Sequence, residues 1–153
     1  MQEKESIAWA GRIRVVVRQS SVETVYTFEN LVTNAGRNLL VSALRTASAD
    51  AGVRFVALGS GATPPTGVQT QLVSEQFRKA VTRQEVGVVG ELLTTVFISP
   101  TEANTFTINE IGWFAGPTAT TAVNSGVMLA RVLWTRIKNN RESIQIDRRD
   151  ILG

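Results

Sequence analysis

Alternation of apolar and polar residues dominates this chain. Over residues 10–18, Ile13, Val15 and Val17 alternate with Arg12, Arg14 and Arg18. That two-residue period predicts a strand with one oily face and one guanidinium-bearing face. Gln19-Ser20-Ser21 reads as a turn, and residues 22–28, rich in Val, Thr, Tyr and Phe, as the second arm of a hairpin. The period then changes. Thr33 or Asn34 can cap a helix over residues 35–45, with Leu39, Leu40, Ala43 and Leu44 on one face. Further strands are predicted at 53–58, 77–88, 92–98, 105–114, 127–138 and 143–147. Residues 59–67 and 115–125 read as long loops, and 71–75 as one helical turn. Residues 127–138 are apolar on both parities, which predicts a central strand or a face given to a partner.

The tally is about eight strands and one short α-helix, with turn signals every ten to fifteen residues. The expected fold is mainly β: an antiparallel β-sandwich or barrel. At 153 residues the length fits one domain. The expected organisation is an N-terminal docking arm (1–10), one β-rich domain (11–147) and a charged C-terminal tail (148–153).

Composition narrows the chemistry. Histidine and cysteine are absent. Disulfide frameworks, zinc-finger and haem ligation, thiol nucleophiles and His-based triads are thereby excluded. Gly59-Ser60-Gly61 follows a strand, but Pro64 stands where a dinucleotide loop has its third glycine, and no helix opens behind it. The carboxylates are scattered, with no pair arranged for glycoside hydrolysis. No catalytic residue, metal site or cofactor is expected. Glu110 stands out because it lies among Ile108, Ile111 and Trp113. A buried acid needs a partner, and Arg78 or Arg131 is the expected one.

Charge adds a second point. The net charge is +3, and 13 of the 16 cations are Arg. With almost nothing titrating near neutrality, this small excess suffices for a sequence pI of about 10. No dense basic run occurs, so nucleic acid is not an expected partner. Arginine and tryptophan suit protein interfaces. Trp113 and Trp134 fit core packing or interface anchoring, and Trp9 fits docking on another subunit. The candidate interface residues are Trp9, Arg12, Arg14, Arg18 and Trp134. No apolar stretch approaches the ~20 residues of a membrane span, and Met-Gln-Glu-Lys-Glu-Ser does not open a signal peptide.

Several short motifs occur in a recognisable order. Asn30-Leu31-Val32-Thr33-Asn34-Ala35-Gly36 is followed by Ala57-Leu58-Gly59-Ser60-Gly61 and Pro64-Pro65. Then come Leu72-Val73-Ser74-Glu75-Gln76-Phe77-Arg78, Ile108-Asn109-Glu110-Ile111-Gly112-Trp113-Phe114 and Leu129-Ala130-Arg131. Over residues 28–138 this order resembles tailed-bacteriophage virion proteins of the tail-fibre and baseplate type. The resemblance implies a non-enzymatic, β-rich building block. It implies a homo-oligomer, with a trimer favoured, whose partners are other virion proteins of tail, baseplate or capsid. Its location would be the virion, after synthesis in the host bacterial cytoplasm.

The chain carries no fibrous repeat and little beyond the module. A connector, adaptor or small decoration subunit is therefore expected rather than a host-recognising tip. The alternative is a capsid cement protein on the head lattice. A third reading, a carbohydrate-binding module, requires an exposed aromatic platform.

Overall fold

The computed structural model describes residues 8–45 and 50–153. They form β1 (Trp9–Gln19), β2 (Val22–Asn30), α1 (Asn34–Arg45), β3 (Val53–Gly59), β4 (Glu75–Ala80) and β5 (Arg83–Val86). β6 (Glu91–Ile98), β7 (Thr107–Ala115), β8 (Val127–Ile137) and β9 (Glu142–Leu152) follow. Two antiparallel sheets result: a five-stranded one in the order β2-β1-β9-β6-β5, and a four-stranded one in the order β4-β3-β7-β8. The mainly β, antiparallel sandwich expected from the alternation is the fold.

The inner faces supply the core. Ile13, Val15 and Val17 of β1 meet Ile144 and Ile146 of β9 and Val96 and Ile98 of β6. Val56, Leu58, Ile111 and Trp113 face them from the other sheet. The oily parity of residues 10–18 is thus the inward one, as the period of two requires. The predicted hairpin is β1–β2, paired without a register shift from Gly11↔Asn30 to Gln19↔Val22.

The helix begins where the polar cap predicts. Thr33 Oγ1 accepts the Gly36 N–H at 3.0 Å and donates to the Met128 carbonyl at 2.5 Å. One hydroxyl therefore caps α1 and fastens it to β8. α1 lies across the surface, with Gly36 buried against Leu129 and Leu44 left exposed.

Four expectations change. The stretch 77–88 is two strands in different sheets. Val81 N–H donates to the Arg54 carbonyl beside one sheet, and Thr82 N–H to the Thr95 carbonyl in the other. No glycine, proline or turn residue stands at this crossing, so the break carries no punctuation in the sequence. Residues 71–75 make no helical turn: the Val73 and Ser74 N–H groups are drawn to Glu110, and Glu75 begins β4. β8 is an edge strand, not a central one. Its two register shifts each place an extra β8 residue opposite β7. Of its outward apolar residues, Met128 is covered by Leu72 and Ala119 of the loops, while Ile137 stays exposed; α1 packs against Leu129 of the main core.

The fourth concerns the termini. Residues 148–152 are not a tail but the end of β9, paired with β1 on one side and β6 on the other. Trp9 and Ala10 likewise belong to β1, opposite Leu152 and Ile151. The rest of the expected arm, residues 1–7, lies outside the described residues.

Candidate functional site: buried ion pairs beneath two loops

The outward face of the four-stranded sheet carries a second, smaller core. Ala57, Phe114 and Met128 of the strands meet Leu72 and Ala119, which come from the loops 60–74 and 116–126. Each loop is fastened by an arginine–carboxylate pair.

Glu110 on β7 is fully buried. One of its oxygens accepts N–H bonds from Gly61 at 3.0 Å and Ser74 at 2.8 Å. The other accepts Val73 N–H at 3.0 Å and Arg131 Nε at 2.5 Å. Arg131, 2 % exposed, donates onward to the Thr63 carbonyl at 2.6 Å. Both ends of loop 60–74 are thus tied to one ion pair, and Arg131 Nη1 also reaches Gln69 Oε1 near its middle at 3.4 Å. The glycines serve this geometry. A Cβ on Gly61 would stand 2.8 Å from Glu110 Oε1 and collide with the Val73 side chain. A Cβ on Gly112 would meet Leu72 Cδ2 at 2.8 Å. Only glycine lets the loop settle this closely.

Arg78 does not pair with Glu110. It binds Glu75 through Nε at 3.1 Å and Nη2 at 2.8 Å. Its Nη1 reaches the Ser125 carbonyl at 2.8 Å and the Thr120 carbonyl at 3.0 Å, fastening loop 116–126. Its guanidinium lies 4.3 Å from the Phe114 ring centroid, a cation–π contact.

The predicted interface residues are not gathered into one patch. Trp134 is 6 % exposed and packs edge-on against Tyr26 at 5.5 Å between centroids. Trp113 is fully buried. Trp9 is half-buried and spends its indole N–H on Asp150 at 2.8 Å. Arg12, Arg14 and Arg18 do line the solvent face of the five-stranded sheet. Each is opposed by a carboxylate: Glu29 at 3.9 Å, Asp147 at 3.8 Å and Glu23 at 2.8 Å. The shallow groove of about 550 Å³ there has Arg12, Arg14 and Arg149 among its lining residues, with Glu29 and Asp147 beside them.

Three polar clusters escaped the sequence reading. Arg148, fully buried, forks onto Asp150 with bonds of 2.7–3.0 Å and stacks 5.3 Å from the Trp113 centroid. Its signal was available, since 144, 146, 148 and 150 share one parity. Arg136 forks onto Glu142 at 2.6 and 3.1 Å across the β8–β9 turn. The Arg136 hydrogen bonds hold the Glu142 carboxyl below its ordinary value of 4.5. Lys138, 3 % exposed, donates to the Pro100 carbonyl and Asn104 Oδ1, and burial lowers its pKa. No sequence period links these last two clusters, which meet through turns.

Chemically, the Glu110–Arg131 pair is saturated. Two donors occupy each carboxylate oxygen, so neither is free to take a substrate proton or bind an ion. Among the described residues no group of three Asp or Glu side chains could hold a metal ion, and no helix is long and apolar enough to cross a membrane. No family model, no curated protein and no solved structure matches the chain.

Proposed function

We propose that this chain is a non-enzymatic building block of a bacteriophage particle, an oligomeric component of the tail, baseplate or fibre-attachment region. One observation carries the reading. The motifs behind the resemblance converge on one unit: Gly59-Ser60-Gly61, Leu72, Glu75 and Arg78, Glu110 and Gly112, and Arg131. They lie far apart in sequence, yet together they bury two ion pairs and pin two loops onto one sheet. Their polar groups are spent on internal bonds, which suits a rigid subunit. The buried tryptophans, with Trp9 held by Asp150, offer no aromatic platform for a sugar among the described residues.

The test is the particle itself. Antibody against the purified chain should label tails or baseplates in electron micrographs of purified phage, at low copy number. Labelling spread over the head at lattice copy number would move the chain to the cement role. Absence from intact particles would end the virion reading.

A further inference from the structure

The sandwich has four edge strands, and three of them are guarded. β5 is only four residues long. β4 shifts register at its partner's Leu58/Gly59 step and carries Arg78 and Lys79. β8 is bulged twice, and Val32 bridges to Ala130 on its open side. Short length, bulges, cations and covering segments are the usual defences of an edge. β2 is neither short, bulged nor covered by a described segment, and its two charges, Glu23 and Glu29, are paired with Arg18 and Arg12 of β1. It runs nine residues, Val22–Asn30, with no register shift, no proline and no cation. No described segment pairs with its outer edge. Val22 and Val25 are 65 % and 43 % exposed. A long, unbulged strand of this composition is a template for another strand.

We propose that the β2 edge pairs antiparallel with β2 of a second copy about a two-fold axis at Val25. The inference deepens the building-block reading by naming a contact surface. Pairing must keep inward residues opposite inward ones, so the axis passes through a residue and not between two. Centred on Tyr26, it would set Glu23 opposite Glu29 of the second copy, like charges that repel. Centred on Thr27, it would set Val25 against Glu29. Centred on Val25, it sets Val25 on Val25, Glu23 on Thr27, Thr24 on Tyr26 and Val22 on Phe28. That register uses residues 22–28 of both copies, opposes no like charges and buries the exposed valines. Glu23 and Glu29 keep their own arginines, Arg18 and Arg12. Such a contact joins copies in pairs, alone or on top of the three-fold association that the resemblance implies.

The absence of cysteine makes the register directly readable. In the full chain, Val25→Cys should form a disulfide-linked dimer on mild oxidation, because directly opposite Cα atoms lie about 4.5–5.5 Å apart. Thr27→Cys alone should not link, since its own counterpart lies roughly 14 Å away along the strand. A mixture of Thr27→Cys and Glu23→Cys chains should give the mixed dimer. Val25→Lys should weaken self-association about tenfold or more in sedimentation while its circular dichroism stays native. Equal linking by Val25→Cys and Thr27→Cys, or none by either, would overturn the contact. Wild-type self-association undiminished by Val25→Lys would do the same. Particles that still contain a Val25→Lys chain would leave the building-block reading standing while removing this edge from it.

Discussion

The two sheets use the same chemistry on their outward faces with opposite consequences. On the four-stranded sheet, the arginine–carboxylate pairs Glu110–Arg131 and Glu75–Arg78 lie under loops, with side-chain exposures of 4 % or less. On the five-stranded sheet, Arg12–Glu29 and Arg18–Glu23 stand in water with exposures of 42–84 %. Burial makes the first set indispensable. Removing one partner strands a charge where water cannot solvate it, at a cost of about 3–5 kcal/mol. The second set contributes about 0–1 kcal/mol per pair, because solvent screens each charge whether or not it is paired. The lesson is that an arginine's importance here follows from what covers it, not from its having a partner.

Glu110→Ala should break this contrast at its strongest point. It leaves Arg131 buried and three loop N–H groups unpaired, so thermal melting should fall by roughly 10 °C or more. A melt within a degree of wild type would show that water already reaches the pair. Gly61→Ala tests the same site by crowding it. The added methyl must displace Val73 or the Glu110 carboxylate, at about 1–3 kcal/mol. Proteolysis within loop 60–74 should then quicken. Unaltered cleavage and an unaltered melt would mean that the loop has room to spare.

The sheets also differ in how far the sequence reveals them. The five-stranded sheet was largely legible, because β1 and β9 place Ile13, Val15, Val17, Ile144 and Ile146 on one parity and β6 is a short apolar run ended by Ser99-Pro100. Even so, Arg148 and Asp150 were read as tail, since two charges on the inward parity look like solvent-facing residues until they are paired with each other. The four-stranded sheet was less legible. β8 is apolar on both parities, and the sequence cannot distinguish a central strand from an edge covered by its own loops. The crossing at Val81–Thr82 carries no glycine or proline to mark it. Glu110 could be singled out as a buried acid, because a carboxylate in an apolar run demands a partner. Its choice of Arg131 over Arg78 depends on register, with Arg131 paired opposite Gly112 and Arg78 opposite Ala57. The fold decides that register, not residue type.

A pair between these extremes, Glu142 with Arg136, should respond to acid next. Glu142 is 1 % exposed, and its hydrogen bonds to Arg136 depress its folded-state pKa below 4.5. A depressed carboxylate contributes stability that is fully present above its unfolded value. That contribution is lost as pH falls through the folded value. Stability should therefore decline as pH drops below about 4.5, and Arg136→Met should remove part of that slope. Denaturant midpoints measured from pH 6 to pH 3 on both proteins check this. Identical slopes would mean that Arg136 is not what depresses Glu142.

The smallest effect belongs to the exposed ladder. Arg12 and Glu29 face each other across the β1–β2 register at 3.9 Å, with 65 % and 84 % of their side chains in solvent. At that separation and exposure, the attraction barely offsets the entropy of holding two long side chains together. A double-mutant cycle of Arg12→Ala and Glu29→Ala should return a coupling of about 0.5 kcal/mol or less. Raising the salt should shrink it further, because the Debye length falls to roughly 3 Å at 1 M ionic strength. A coupling well above 1 kcal/mol at physiological salt would mean that this face is covered in solution. At high protein concentration such a result would also draw attention to the adjoining β2 edge, where Glu29 sits. The cycle is therefore best run at two protein concentrations: an unchanged small coupling keeps the pair a solvated one, and a coupling that grows with concentration makes it part of a contact between copies.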